Sequence, residues 1–184
     1  QNLMKQMLVS EDENTVCSPI NLYIAFAMLA ETSDGNTRQQ ILDMLGAQDM
    51  DTLRKNVSSL WKSNYADTPA LKSVLANSLW LDGEETYNDT TLQRLAEQYY
   101  ASTFRGTPGS KEMDQALQTW TDNNTGGLLK EYTKDMAIAP DTVFELVSTI
   151  YYKAMWRENF WEVNTEKETF HGTAGDTDVD MMKK

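Results

Sequence analysis

Hydrophobic and polar positions alternate along residues 143–154, and this alternation predicts one long β-strand, because successive strand residues point to opposite faces. β-Branched and aromatic side chains dominate the segment, as is typical of strands. One predicted face is apolar apart from a single serine, and we expect it to pack on the core: Phe144, Leu146, Ser148, Ile150, Tyr152 and Ala154. The other face is mixed, which favours partial cover by a helix: Val143, Glu145, Val147, Thr149, Tyr151 and Lys153.

Apolar residues spaced three and four apart predict helices over much of the rest of the chain. A buried helix is predicted to begin with Ser18 as its N-cap and Pro19 in its first turn. For the next helix, Thr37 and Gln40 have the spacing of a capping box, and Gly46 marks the end. Further helices are predicted around residues 3–9, 51–65, 92–99 and 113–126, and further strands at 71–81, 102–104, 165–172 and 177–182, the last two joined by a turn at Gly175-Asp176.

Length, composition and charge limit the fold class and the kinds of partner that we expect. A chain of 184 residues suits one domain with a substantial core, and the irregular mixture of helices and strands predicts an α+β fold. The formal net charge of −12 argues against nucleic-acid partners, which favour basic surfaces. No apolar run approaches the length of a membrane span, so no membrane partner is expected.

Residue types for enzyme chemistry are scarce. Cys17 is the only cysteine and His171 the only histidine, which excludes a paired-histidine metal site and most nucleophile–base sets. The sequence contains no glycine-rich phosphate loop and no Gly-x-Ser-x-Gly elbow. We therefore expect no enzyme activity, no cofactor and no metal, and we expect Cys17 to be a buried, inert thiol.

The segment at residues 143–160 also resembles the central sheet strand of the serpins, a family of suicide protease inhibitors. The family pattern is Leu-Val-Asn-x-Ile-Tyr-Phe-Lys-Gly-x-Trp followed by Phe, and it is matched by Leu146, Val147, Ser148, Ile150, Tyr151, Tyr152, Lys153, Ala154, Trp156 and Phe160. Ser148 stands where the family has Asn, and Ala154 where it has Gly. Further matches follow in the family's order: Ser18, Pro19 and Asn21; Gly35, Thr37, Gln40 and Ile41; Asn77, Leu79 and Trp80; Trp120, Thr125 and Gly127; Thr165, Phe170, Val179, Met181 and Met182.

The resemblance implies a serpin-like α+β fold, in which N-terminal helices accompany a large central, mostly antiparallel β-sheet. Residues 1–184 would be the N-terminal part of a single domain, completed by a second segment or chain that carries the reactive loop. The implied function is inhibition of a serine or cysteine protease, which cuts the loop and is trapped as the loop inserts into the sheet. The implied alternative is a non-inhibitory serpin that acts as a carrier or chaperone. Secretion is expected in preference to a cytoplasmic location.

Two groups of site residues also follow from the resemblance. Ser18, Asn21 and Ser148 match the shutter, a region beneath the sheet that controls its opening. The family has Ser at the position of Asn21 and Asn at that of Ser148, so we expect these two to keep their hydrogen bonds with donor and acceptor exchanged. The alternative is that Ser18 is only a helix cap and Ser148 a tolerated polar residue. Trp156 and Lys153 match the top of the sheet, where loop insertion begins, although Trp156 could equally be a core anchor.

Overall fold

The structure is a computed structural model that describes residues 17–184, so the helix predicted at residues 3–9 lies outside the described residues. The described chain divides into two compact units, the first ending at Lys153 and the second spanning Ala154–Lys184. The helices are α1 (Pro19–Thr32), α2 (Gly35–Leu45), α3 (Met50–Asn64), α4 (Asp89–Tyr99), α5 (Lys111–Asn124) and α6 (Lys130–Thr133), with a 3₁₀ turn at Glu162–Asn164. The strands are β1 (Ala66–Asp67), β2 (Leu71–Asp82), β3 (Ala101–Gly106), β4 (Phe144–Ala154), β5 (Glu166–Gly172) and β6 (Gly175–Met181).

Side-chain caps decide where the first two helices begin. The Ser18 hydroxyl accepts a hydrogen bond from the backbone N–H of Asn21 at 3.3 Å, which begins α1 as predicted. For α2 the predicted capping box at Thr37 is wrong, because the Asp34 carboxylate accepts a hydrogen bond from the first helical N–H at 2.8 Å. Thr37 therefore lies inside the helix. The end of α2 is as predicted, since Gly46 adopts a left-handed φ of 68° that costs a glycine little.

Strand β2 is the central strand of the first unit. Strand β1 pairs with it antiparallel, with Ala66 opposite Ser73, and β3 pairs with it parallel, with Asn77 opposite Ala101. A parallel neighbour requires a crossover connection, which α4 supplies between β2 and β3. Strand β4 also pairs with β2. The sheet therefore brings the strand at residues 143–154 next to the other long strand of the chain.

Among the residues that the structure describes, two clusters of buried apolar side chains stabilise the first unit. Neighbouring residues of β2 serve different clusters, because Leu79 points to one face of the sheet and Trp80 to the other. The first core cluster joins α1 to α4 with the sheet: Ile24, Ala27, Met28, Ala30, Ile41, Leu42, Ala47, Leu53, Val57, Leu79, Leu81, Leu95, Tyr99 and Ala101. The second core cluster holds α5 against the opposite face: Trp80, Met113, Leu117 and Ile138.

The faces of β4 differ in part from the prediction. Leu146 packs against the first core cluster as expected, but Phe144, Ile150 and Tyr152 on the same face are exposed by 38%, 38% and 66%. Thr149, on the mixed face, is buried instead. Within the described residues, α1 and its neighbours cover only the middle of the predicted core face. The helix α5 and the turn after it cover the middle of the mixed face, where Val147 packs on the second core cluster and Tyr151 lies against Gly126.

The second unit is built on the β5–β6 hairpin. The two strands pair antiparallel, with Gly172 opposite Gly175, so the connection is the two residues Thr173-Ala174. The turn predicted at Gly175-Asp176 is therefore wrong, because both residues belong to β6. One face of the hairpin carries polar cross-strand pairs: Lys167 with Asp180 at 2.9 Å, Thr169 with Asp178 at 3.2 Å and His171 with Asp176 at 2.8 Å.

Candidate functional site at the α1–β4 contact

Four side-chain hydrogen bonds connect α1, β4, β2 and α4 in a continuous series, here called the α1–β4 polar chain (Ser18, Asn21, Ser148, Asn77 and Tyr99). The Ser18 hydroxyl donates to Oδ1 of Asn21 at 2.8 Å, and Nδ2 of Asn21 donates to the Ser148 hydroxyl at 2.9 Å. The Ser148 hydroxyl donates in turn to Oδ1 of Asn77 at 2.9 Å. Nδ2 of Asn77 donates to the backbone carbonyl of Tyr99 at 2.8 Å. Each side chain in the middle of the series both accepts and donates.

Local structure directs each member of the polar chain towards the next. Ser18 and Asn21 are the N-cap and the third residue of α1, so their side chains lie together at the beginning of the helix. Ser148 lies in the middle of β4, and Asn77, which is 2% exposed, lies in the middle of β2. Tyr99 is the last residue of α4, where backbone carbonyls have no partner within the helix. Asn77 supplies the missing donor.

The polar chain resists separation of β4 from α1 through its hydrogen bonds and through the cost of leaving the buried Asn77 without its donor Ser148. A hydrogen bond contributes about 1 kcal/mol net to stability, whereas a buried polar group left without a partner costs about 1–3 kcal/mol. Movement of β4 away from α1 would break the bond from Asn21 to Ser148. It would leave the Asn21 amide without its acceptor on β4, and Asn77 with a displaced donor. The arrangement therefore stabilises one position of β4 over α1.

The sequence-based prediction for Asn21 and Ser148 named a contact that the structure contains. The two side chains are hydrogen-bonded, with Asn21 as the donor. Ser18 is both a helix cap and a member of the polar chain, so the two interpretations of Ser18 are compatible. Control of sheet opening by Ser18, Asn21 and Ser148 stays a prediction. Asn77 was predicted only as part of a strand motif, and its partners were missed. The signal that could have revealed them was a polar amide in the middle of a buried strand, which needs a hydrogen-bond partner.

A buried carboxylate lies close to the polar chain and was not predicted. Glu31, whose side chain is 2% exposed, accepts two hydrogen bonds of 2.8 Å from the Arg54 guanidinium, which ties α1 to α3. It also accepts a hydrogen bond from the Tyr99 hydroxyl at 3.1 Å, and it lies 3.5 Å from the guanidinium of Arg94 on α4. The signal in the sequence was a single acidic residue at the end of an apolar helix.

The charges around Glu31 determine its protonation. Burial alone would raise the pKa of Glu31, but the hydrogen bonds and charge of Arg54, with Tyr99 and Arg94, hold that pKa below its ordinary value. The same hydrogen bonds raise the pKa of Arg54. Burial, followed by the Glu31 charge, raises the pKa of Tyr99 far above its ordinary value of 10.0. At neutral pH, Glu31 is therefore an anion, and the Tyr99 hydroxyl keeps the proton that it donates.

The two residues predicted at the top of the sheet lie in different units. Lys153 is exposed near the end of β4, in the first unit. Trp156 belongs to the second unit, where its ring meets that of Phe160 edge-on with centroids 5.5 Å apart. Its side chain is 71% exposed, so among the described residues it is not a core anchor. A role of Trp156 and Lys153 in loop insertion stays a prediction.

The described residues also bear on metal sites, membrane spans and the single thiol. No group of three or more His, Cys, Asp or Glu side chains within residues 17–184 is arranged to hold a metal ion. None of the helices in this range combines the length and apolar character needed to cross a membrane. Cys17, two residues before the start of α1, is half-buried and not fully buried as predicted.

Comparison with known proteins gives one consistent family. The family model described as Serpin (serine protease inhibitor) matches residues 1–184. Serpin-ZX of Arabidopsis thaliana is 28% identical over 177 residues, which are 92% of this chain and 45% of that protein. Antithrombin-III of Homo sapiens is 28% identical over 180 residues, which are 91% of this chain and 38% of that protein. This chain thus spans about half the length, or less, of the curated relatives that it matches.

Solved structures show the same similarity in three dimensions. The structure of Arabidopsis AtSerpin1 in its native stressed conformation matches 100% of this chain and 49% of its own, with a TM-score of 0.83 and 26% identity. The thermophilic serpin tengpin in its latent state matches 98% of this chain and 49% of its own, with a TM-score of 0.83 and 23% identity. The predicted α+β fold is therefore confirmed, and the described residues contain part of that fold.

Proposed function

The chain belongs to the serpin family, and from this premise we propose that the protein is a suicide inhibitor of a serine or cysteine protease. The members of this family are usually protease inhibitors and not enzymes, and antithrombin-III is among the relatives of this chain. The target protease would be the partner, held in a covalent complex. The rest of the domain, with its reactive loop, would be a second partner of residues 1–184. We also propose secretion as the location.

In the proposed mechanism the protease begins an ordinary cleavage. Its nucleophilic oxygen or sulfur adds to a carbonyl carbon of the reactive loop, the peptide C–N bond breaks, and the departing amine takes up a proton. An ester or thioester then joins loop and protease. Water would complete the cleavage, but insertion of the cut loop into the sheet beside β4 comes first and traps the ester or thioester. The outcome depends on whether insertion is faster than hydrolysis.

The single observation that carries this proposal is the match of the family model Serpin (serine protease inhibitor) to residues 1–184, and the hydrogen bond between Asn21 and Ser148 lies where the proposed mechanism would act. Insertion of a strand beside β4 requires β4 to move over the helix beneath it. The α1–β4 polar chain stabilises one position of β4 and must be rearranged in that movement. We propose that Ser18, Asn21 and Ser148 set the barrier to sheet opening. Lys153 and Trp156 would then contact the loop where insertion begins.

The alternative function is that of a non-inhibitory serpin, a carrier or chaperone on the same fold. Solved relatives of this fold include emu ovalbumin and human thyroxine-binding globulin, which share 18% and 22% identity with this chain and show the fold alone. The two functions differ in whether the loop inserts. The polar chain favours neither, because a sheet that stays closed can use the same hydrogen bonds.

The decisive experiment mixes the full-length protein with a panel of serine and cysteine proteases. An inhibitor should form a complex that survives SDS and runs at the summed mass of protease and cut inhibitor. Cleavage of the loop should also raise the melting temperature markedly, since the inserted strand completes the sheet. Cleavage without any complex and without any gain in heat stability would favour the carrier or chaperone and overturn the proposed inhibition.

A further inference from the structure

Tyr99 joins the α1–β4 polar chain to the buried Glu31 carboxylate. Its backbone carbonyl accepts the hydrogen bond from Asn77 that ends the α1–β4 polar chain, and its hydroxyl donates to Glu31. The series of contacts is therefore continuous from the Arg54 and Arg94 guanidinium groups to the Ser148 hydroxyl. It crosses from the surface of α3 and α4 to the middle of β4.

We infer that Glu31 and Tyr99 are positioning residues for the sheet: by fixing Tyr99, Glu31 sets how readily β4 moves over α1. The inference rests on the proposed function for its biological meaning, because that function requires the movement. Within residues 17–184, the hydrogen bonds and ion pairs of Glu31, Arg54 and Arg94 do not include a residue of β4.

The geometry of the α4–β3 connection explains why the Tyr99 carbonyl is sensitive to Glu31. A single residue, Tyr100, separates the end of α4 from the start of β3. Tyr100 has a positive φ of 54°, which a bulky side chain rarely adopts. The direction of the Tyr99 carbonyl is therefore set by how firmly the last turn of α4 is held. Glu31 holds that turn through the Tyr99 hydroxyl and through Arg94.

The burial of Glu31 makes this hold strong and specific. Its carboxylate is almost excluded from water and must keep its donors, because an unpaired buried charge is costly. Arg54 supplies two of these donors from α3, and Tyr99 supplies the third from α4. The carboxylate thus fixes α4 relative to α1, the same helix that carries Asn21. Both ends of the polar chain are therefore held by residues of α1, one by Asn21 and the other by Glu31 through Tyr99.

The test removes one hydroxyl and measures local opening. Tyr99→Phe deletes the donor to Glu31 and keeps the ring and the backbone carbonyl. Tyr100→Phe is the matched control, because it deletes a hydroxyl one residue away that lies 3.3 Å from Ser58 and contacts neither Glu31 nor Asn77. Amide hydrogen exchange with mass spectrometry, on the full-length protein without protease, reports opening of β4 and β2. Amides of α5 serve as the reference for global unfolding.

We expect Tyr99→Phe to speed exchange in β4 around Ser148 by at least about fivefold, as loss of a hydrogen bond to a charged group would do. Exchange in α5 should change by less than about twofold, and Tyr100→Phe should leave β4 unchanged. In a Ser148→Ala background, the effect of Tyr99→Phe on β4 should vanish, because the route through Asn77 is already broken. If Tyr99→Phe does not fold, Arg94→Gln is the milder change and should speed β4 exchange in the same direction.

Unchanged β4 exchange in Tyr99→Phe would overturn the inference, and so would either of two further results. One is uniform acceleration in β4 and α5 alike, which would mean that Tyr99 contributes only to global stability. The other is an effect of Tyr99→Phe that persists in full when Ser148 is replaced. Failure of the protein to inhibit any protease would refute the proposed function and leave these exchange results standing. Normal inhibition with unchanged β4 exchange in Tyr99→Phe would refute the inference and leave the proposed function standing.

Discussion

The hydrogen bond between Asn21 and Ser148 should tolerate an exchange of the two residue types. Ser148→Asn alone should place two amide side chains, at positions 21 and 148, where only one fits. We expect the crowding and the loss of a hydrogen-bond partner to lower the free energy of unfolding by about 1–3 kcal/mol. Adding Asn21→Ser should restore most of this loss, since a hydroxyl then faces the new amide. Urea unfolding of the full-length protein measures both. A double variant no more stable than Ser148→Asn would contradict the exchange of donor and acceptor.

Glu31 should make stability depend on pH in a defined direction. Its folded pKa lies below the ordinary 4.5 because the stabilising groups that face it, Arg54, Arg94 and Tyr99, outweigh its burial. The unfolded state then binds the proton at higher pH than the folded state does. The contribution of Glu31 is therefore complete above about pH 5 and is lost as pH falls through the depressed folded pKa.

The measurement is the free energy of unfolding of the full-length protein between about pH 6 and pH 3, where this proton is bound. Glu31→Gln should be less stable than the unmodified protein at pH 6, and its decline towards acid pH should be shallower. Exposed Asp34 offers a matched control, because Asp34→Asn keeps a cap oxygen and leaves Glu31 untouched. Parallel acid declines for Glu31→Gln and the unmodified protein would contradict the prediction.

At the scale of elements, the turn after α5 fixes that helix to β4 through a glycine. A Cβ atom on Gly126 would lie 2.7 Å from Cζ of the Tyr151 ring, whereas one on Gly127 would have no atom within 4 Å. Both glycines have positive φ, 61° and 74°, so Ala is strained at each. We expect Gly127→Ala to cost about 1 kcal/mol and Gly126→Ala about 2–4 kcal/mol, because only the latter adds overpacking. Equal losses in thermal unfolding would show that the close approach to Tyr151 does not matter.

The type of each helix or strand was easier to predict from the sequence than the residues at its ends or its contacts. The type of each longer helix and strand in the described residues agreed with the prediction, whereas the short α6, β1 and the 3₁₀ turn at Glu162–Asn164 were not predicted. The N-cap of α2 differed from the prediction, because Thr37 and Asp34 both suit a cap and only the backbone path decides between them. Glu31 was missed because its partners Arg54 and Tyr99 lie 23 and 68 residues away. Ser148 was found because the family pattern already marked both positions of its contact with Asn21.

For residues 1–184 as a whole, net charge opposes association, whereas exposed apolar side chains favour it. The net charge of −12 favours solubility through mutual repulsion. Against this, the second unit exposes large apolar side chains in a span of 31 residues: Met155, Trp156, Trp161, Val163, Phe170 and Met182. Surface of this kind normally lies in an interface or drives association. Repulsion spread over a whole surface is screened by salt, whereas apolar contact is not.

We therefore predict that residues 1–184 produced alone associate and lack a sharp thermal transition. In the first unit too, Ile150 and Tyr152 of β4 are exposed, so neither unit buries all of its large apolar side chains. Light scattering and binding of a hydrophobic dye measure the exposed surface, and calorimetry measures cooperativity. The full-length protein is the control and should bind little dye. Raising the salt concentration should increase association, because it screens the acidic surface and leaves the apolar attraction. A monodisperse sample of residues 1–184 that melts cooperatively would contradict the prediction, since it would show that these exposed side chains need no further cover.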